Sequence, residues 1–168
     1  MSAVSPLAYN LLWPAVALLL VALASAVISR RVRWRDLRRE AAEEALLALA
    51  GYSEWLAAQR RSPAFQGDRT PEAEALGRLR QLQQAVFPEL GPAAGQLLDV
   101  HAAAVDFLWK QQLLRVRDPE AWLESDHDAG FMALWRQHRE AVHRLADLLR
   151  QRAGGPLRDA EPESVYPA

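Results

Sequence analysis

The chain has 168 residues, 51% of them hydrophobic, with no cysteine and a formal net charge of −1. That length holds one membrane helix and one domain of about 120 residues, and the lack of cysteine excludes a disulfide framework, thiolate chemistry and a zinc-thiolate site. Positive charge is crowded into residues 30–39 while the rest is mildly acidic, which argues against the basic domain face that a nucleic-acid binder needs.

Ser5-Pro6 is a helix-start signal, with serine as the cap and proline at the first position. An apolar run follows, with no charged side chain from Leu11 to Ile28, close to the ~20 residues that cross a hydrocarbon core. Trp13 and Trp34 flank it, where indole rings settle at the headgroup boundary. No Lys or Arg precedes the run, whereas Arg30, Arg31, Arg33, Arg35, Arg38 and Arg39 follow it. Basic flanks stay on the cytoplasmic side. The predicted protein is therefore a single-pass inner-membrane anchor with its amino terminus outside and its carboxy-terminal domain cytoplasmic. Ala24-Ser25-Ala26 has the small-x-small form of an export cleavage site, but a cleaved signal wants basic residues before a shorter core. The anchor reading is preferred.

The membrane-interface residues on this reading are Trp13, Arg30, Arg31, Arg33, Trp34 and Arg35. Each arginine attracts anionic lipid by about 1 kcal/mol near the surface. Ala22 and Ala26 are candidate helix-packing positions, joined by the Ser25/Ser29 pair, and imply a homodimer or docking on a protein partner. The expected organisation is an external amino terminus at 1–6, a transmembrane helix at 7–29, a basic juxtamembrane segment at 30–39, a cytoplasmic helical bundle at 36–153 and a disordered tail at 154–168. From Ala15 to Ala50 there is neither Gly nor Pro, so the membrane helix is free to continue into the domain.

The first domain helix is predicted from Val32 to about Arg61, with Leu37, Ala41, Ala45, Ala48, Tyr52 and Trp55 on one stripe and Leu49 and Leu56 widening it. Thr70-Pro71-Glu72 opens a second helix, whose apolar face is Leu76, Leu79, Leu82, Val86 and Phe87. A third runs from about Pro92 to Arg115 with Leu97, Leu98, His101, Val105, Leu108 and Gln112 along one side. Asp118-Pro119-Glu120 starts a short helical turn, broken at Ser125 to Asp128. The last helix carries Phe131, Leu134, Trp135, His138, Val142, Leu145, Leu148 and Leu149 and stops at Gly154-Gly155-Pro156. No alternating β-branched run is present. The predicted fold class is all-α, a single amino-terminal transmembrane helix followed by an antiparallel four-helix bundle.

Candidate chemistry is sparse. His101, His127-Asp128 and Asp147 follow the order H…HD…D of HD-type metal phosphohydrolases, a site that needs all four to converge on metal ions. The alternative for His127 and Asp128 is a solvated helix cap. His138 lies on the apolar stripe and reads as a partly buried histidine hydrogen-bonded to a neighbouring helix, with a pH-sensing role as the alternative. Trp55, Trp109, Trp122 and Trp135 read as core, Trp122 being the most exposed because it adjoins a loop. Asp106 and Lys110 form an i,i+4 pair on a solvated face. Serines fall at caps and in the tail, so none pairs with a base as a nucleophile, and no phosphate-binding glycine loop or hydrolase motif occurs. The expected function is a non-catalytic accessory, scaffold or assembly subunit at the cytoplasmic membrane surface, with no cofactor, bound to anionic lipid and a protein partner or second copy. The alternatives are a small-molecule or pH-sensing helical domain and a metal-dependent hydrolase.

Overall fold

The computed structural model describes residues 6–60, 62, 65 and 71–153. Expectations for the amino-terminal cap at Ser5, the Thr70 cap and the tail from Gly154 lie outside the described residues. Among the described residues five α-helices follow one another: α1 Pro6–Gln59, α2 Pro71–Val86, α3 Gly91–Arg117, α4 Pro119–Glu124 and α5 His127–Ala153, with a 3₁₀ turn at Pro88–Leu90 between α2 and α3. Among the described residues there is no strand, and the all-α class holds.

The chain divides into two compact units, Met1–Leu37 and Arg38–Ala168. In the first unit every side chain from Ala15 to Leu37 is exposed. Leu18 is 71% and Val21 64% exposed, a surface that water disfavours and hydrocarbon does not. This part of α1 is long and apolar enough to cross a membrane, with a mean hydropathy of 1.9 in its most apolar window.

The second unit is built on a buried stripe that begins at Ala41. Ala41, Ala42, Ala45, Leu46, Leu49, Tyr52, Trp55 and Leu56 are all buried. Leu37, predicted on this stripe, is 54% exposed instead, because it precedes the first turn that packs in this unit. Ala42 and Leu46 take that burial, and small residues here let neighbouring helices come close. From α2, Leu76 and Leu79 are buried, and at the corner after it Phe87 and Leu90 are buried as well. Prolines 88 and 92 hold this corner by fixing φ where no helical donor is required.

From α3 the buried side chains are Ala94, Leu97, Ala104 and Leu108. Asp118 caps α4, its Oδ1 accepting from the Ala121 N–H at 3.0 Å. Helix α5 contributes Phe131, Trp135, His138, Ala141, Leu145, Ala146, Leu149 and Ala153. Specific pairs lock the helices together: Glu44 accepts from Arg78 at 2.6 Å, Gln96 from Arg144 at 2.9 Å, and Arg60 pairs with Asp128.

Candidate functional site

The residues expected at the membrane all lie on the first unit's part of α1. Trp13 is 67% and Trp34 51% exposed, and Arg30, Arg31, Arg33 and Arg35 are exposed too. Ala22 and Ala26 are exposed one turn apart on the same helix face. The basic run does not end as one kind of surface. Arg38 donates to the Val86 carbonyl at 3.4 Å and to Glu89, and its guanidinium sits 5.0 Å from the centre of the Phe87 ring. Arg39 pairs with Glu43 at 3.3 Å. Arg38, read from the sequence as part of the juxtamembrane cluster, is tied into the helical domain, whereas Arg39 pairs with a residue one turn along its own helix. The Glu89 carboxyl is held below its ordinary range by a hydrogen bond to its own backbone N–H and by Arg38.

The four residues of the HD pattern do not come together. His101 Nδ1 lies 2.9 Å from the Tyr52 hydroxyl. His127 stacks on Trp122 at 4.3 Å, Asp128 takes a two-point contact from Arg60 at 3.1 and 3.2 Å, and Asp147 pairs with Arg150. Among the described residues no three His, Cys, Asp or Glu side chains are grouped to hold a metal ion. The convergence that reading required is absent.

A polar cluster instead occupies the core. His138 is fully buried, with rings of Tyr52 and Trp135 packed at 5.1 and 5.2 Å. Its Nε2 is 3.0 Å from Ser53 Oγ, and Ser53 Oγ donates to the Leu49 carbonyl at 2.9 Å. A hydroxyl has one proton, so both contacts are hydrogen bonds only if His138 Nε2–H is the donor to Ser53. The Nδ1 lone pair is then buried, and it has no partner among the described residues. Burial, aided by the charge of His101, pushes the His138 pKa down to about 4, and burial pushes the Tyr52 hydroxyl up. Sequence reading placed the serines at caps and in the tail; Ser53 instead lies inside α1 against a histidine 85 residues away. The pair has the spacing of a nucleophile and base, but its serine proton goes to a backbone carbonyl and its imidazole is sealed from solvent.

An open cavity of about 330 Å³ lies elsewhere in the domain, where the end of α1, the end of α3, α4 and the start of α5 meet. Arg60, Arg115, His127 and Asp128 line it together with Phe107, Leu108, Phe131 and the amides of Gln59, Gln111 and Gln112. Arg115 is held over the Trp122 ring at 4.9 Å. The His127 Nδ1 is 3.1 Å from the Ser125 carbonyl, which can only accept, so that nitrogen carries the proton. Arg60 lowers the Asp128 pKa by hydrogen bonding and by its charge. Of the four tryptophans read as core, Trp55 and Trp135 are core, and Trp122 lines this cavity. Trp122 is half-buried, and the exposed one is Trp109 at 50%. No family model matches the chain, and neither curated proteins nor solved structures give a match.

Proposed function

We propose that the chain is a single-pass inner-membrane protein, amino terminus outside, that presents a non-catalytic helical domain at the cytoplasmic membrane surface as a scaffold or assembly subunit. The observation that carries this reading is that one helix, α1, bears both an exposed apolar stretch of membrane-spanning length and, from Ala41 on, the buried stripe of a packed domain. Orientation rests on the arginines that follow the apolar run and their absence before it. Arg30, Arg31, Arg33 and Arg35 contact anionic lipid, Trp13 and Trp34 set the depth, and Ala22 and Ala26 face a second copy or a larger membrane protein.

The domain is an antiparallel four-helix bundle, up-down-up-down, with α4 as an insertion between its last two members. Support comes from the order of its pairs. Along α1, Arg38 and Glu44 meet Val86 and Arg78 of α2 in reverse order. Tyr52 meets His101 of α3, while Ser53 and Arg60 meet His138 and Asp128 of α5, again in reverse. Rigid, short-looped bundles of this kind offer fixed helical faces to partners. A non-catalytic role is supported by the state of two serine–histidine pairs: His138 beside Ser53 is sealed in the core, and Ser125, 3.4 Å from His127, gives its proton to the Trp122 carbonyl.

Alkaline extraction and protease protection of membranes test the reading. The full chain is expected to stay with the bilayer, with its domain cleaved from the cytoplasmic side only, while a chain starting at Val32 washes off. Release of the full chain by alkali, or cleavage from the outer side, overturns it.

A further inference from the structure

Helix α3 carries an exposed seam. Ala102, Asp106, Trp109, Leu113 and Val116 follow one another at alternating steps of four and three, the spacing with which one helix meets another. All five are exposed, Val116 at 70%, and Trp109 keeps its exposure although Phe65 packs against its ring. Beside the seam runs a row of charge. Asp99 and Asp106 lie toward the amino end and Lys110 and Arg117 toward the carboxy end, all of them exposed. Asp106 and Lys110 pair at 2.6 Å, whereas Asp99 and Arg117 have neither an ion pair nor a hydrogen bond with any described residue. Eighteen residues separate these two, which is about five helical turns, so they share one side of α3 at a distance of about 27 Å.

The two rows have nearly the same centre. Asp99 and Arg117 are mirrored about position 108, as are Asp106 and Lys110, and Ala102 and Val116 are mirrored about Trp109. A second copy laid antiparallel on this face therefore sets acid against base at four places and alanine against valine at two. The two Trp109 rings then lie beside the axis. A two-fold axis perpendicular to α3 keeps each row on its own side, so charge meets charge and apolar meets apolar. Laid parallel, the same face would set each charge against its own kind, which is unfavourable.

We propose that α3 pairs antiparallel with α3 of a second copy of this chain, about an axis at the level of positions 108 and 109. The inference goes beyond the role proposed above and does not rest on it, because the seam belongs to the helical domain and not to the stretch that carries Ala22 and Ala26. One helix face of this length buries less than a standard interface. The pairing is therefore weak, and covalent capture reads it better than a sizing measurement.

The chain has no cysteine, so a single introduced thiol reports one site. Full-length Ala102→Cys and Val116→Cys chains with different tags are produced in the same cells, which are treated with a short, membrane-permeant bismaleimide. The mixed dimer is the expected product. Same-site dimers, whose thiols would lie about 21 Å apart along the paired helices, stay minor. Asp99→Arg in both chains lowers the mixed yield by roughly fivefold or more, and adding Arg117→Asp to both restores it. Within one chain these two side chains are too far apart to act on each other through solvent, so rescue comes from a partner copy, and damage to the fold is not rescued. Capture in whole cells reads the pairing whichever side of the membrane the domain occupies, so it does not fail with the topology. The proposal is overturned if no mixed dimer forms, if same-site dimers prevail, or if Arg117→Asp does not restore the yield.

Discussion

Ser53 and His138, on α1 and α5, form a hydrogen bond of 3.0 Å in the middle of the domain core. Because the serine proton is committed to Leu49, the imidazole is neutral with its proton on Nε2, and its other nitrogen faces a dry interior. Protonating that nitrogen would put a charge where nothing accepts its hydrogen. The groups facing it are Ser53, Tyr52 and Trp135, together with the charge of His101, and none of these is a carboxylate.

Stability should therefore fall in mild acid. The unfolded imidazole titrates at its ordinary 6.5 and the folded one at about 4, so between those values the unfolded chain binds the extra proton. Stability is full above the unfolded value, declines as pH drops toward 4, and is lost by about 3 kcal/mol in total. His138→Gln keeps a donor for Ser53 but does not titrate. Denaturant unfolding at about pH 7.5 and about pH 5 should show a steep loss in the parent and a much smaller one in this variant. Equal losses would mean that another group sets the acid sensitivity.

Gly130 on α5 faces the Phe107 ring on α3. A methyl group there would lie 2.8 Å from Phe107 Cε2 and 3.1 Å from Cζ, and Phe107 is packed against the core. Moving the ring costs about 1–2 kcal/mol, which outweighs the gain in helix propensity. Gly77 on α2 has nothing within 4 Å of the same methyl, so there the propensity gain of about 0.5–1 kcal/mol is kept. Gly130→Ala should lower the unfolding midpoint in urea and Gly77→Ala should raise it. Shifts of the same sign would contradict the packing of Phe107.

Local signals were readable in the sequence, and long-range ones were not. Asp118-Pro119 marked the start of α4, and the spacing of Ala41, Ala45, Tyr52 and Trp55 marked the buried face of α1, because caps and periodicity act over one or two turns. Leu37 shares that spacing yet is exposed, since periodicity does not show where packing begins. Ser53 was invisible as a partner of His138 because serine inside a helix carries no local sign of what it meets. The cavity escaped for the same reason: Arg60, Arg115 and His127 come from three different helix ends. Arg38, which the sequence places where the basic segment and the helical domain overlap, differs from its neighbours in a way a run of like charge does not show, through its contacts with Phe87 and Glu89.

That division of the arginines is testable. Arg38 stacks on Phe87, bonds to Val86 and Glu89, and is half-buried. Arg38→Gln should destabilise the domain by about 1 kcal/mol through the lost stacking on Phe87 and the lost bond to Glu89, which keeps Arg152 at 4.0 Å. Arg31→Gln, fully on the exposed side, should change it by less than about 0.5 kcal/mol. Thermal unfolding of the two variants in detergent separates them, and equal effects would place Arg38 outside the domain.

The exposed arginines have a different task on the proposed topology. A guanidinium carried to the middle of a bilayer costs about 2.5–3.5 kcal/mol on the insertion scale, so four at one end of the apolar run and none at the other make one orientation strongly preferred. Replacing Arg30, Arg31, Arg33 and Arg35 with Gln removes most of that bias, and adding Ser2→Arg and Asn10→Arg reverses it. A phosphatase fused to the carboxy terminus, active only outside the cytoplasm, should be silent on the parent chain and active on the combined variant. Activity on the parent would put the domain outside and move Arg30 to Arg35 away from cytoplasmic lipid. Silence on both would show that something other than these arginines sets the orientation, since the remaining basic residues near the span are Arg38 and Arg39, both engaged by Glu89 and Glu43.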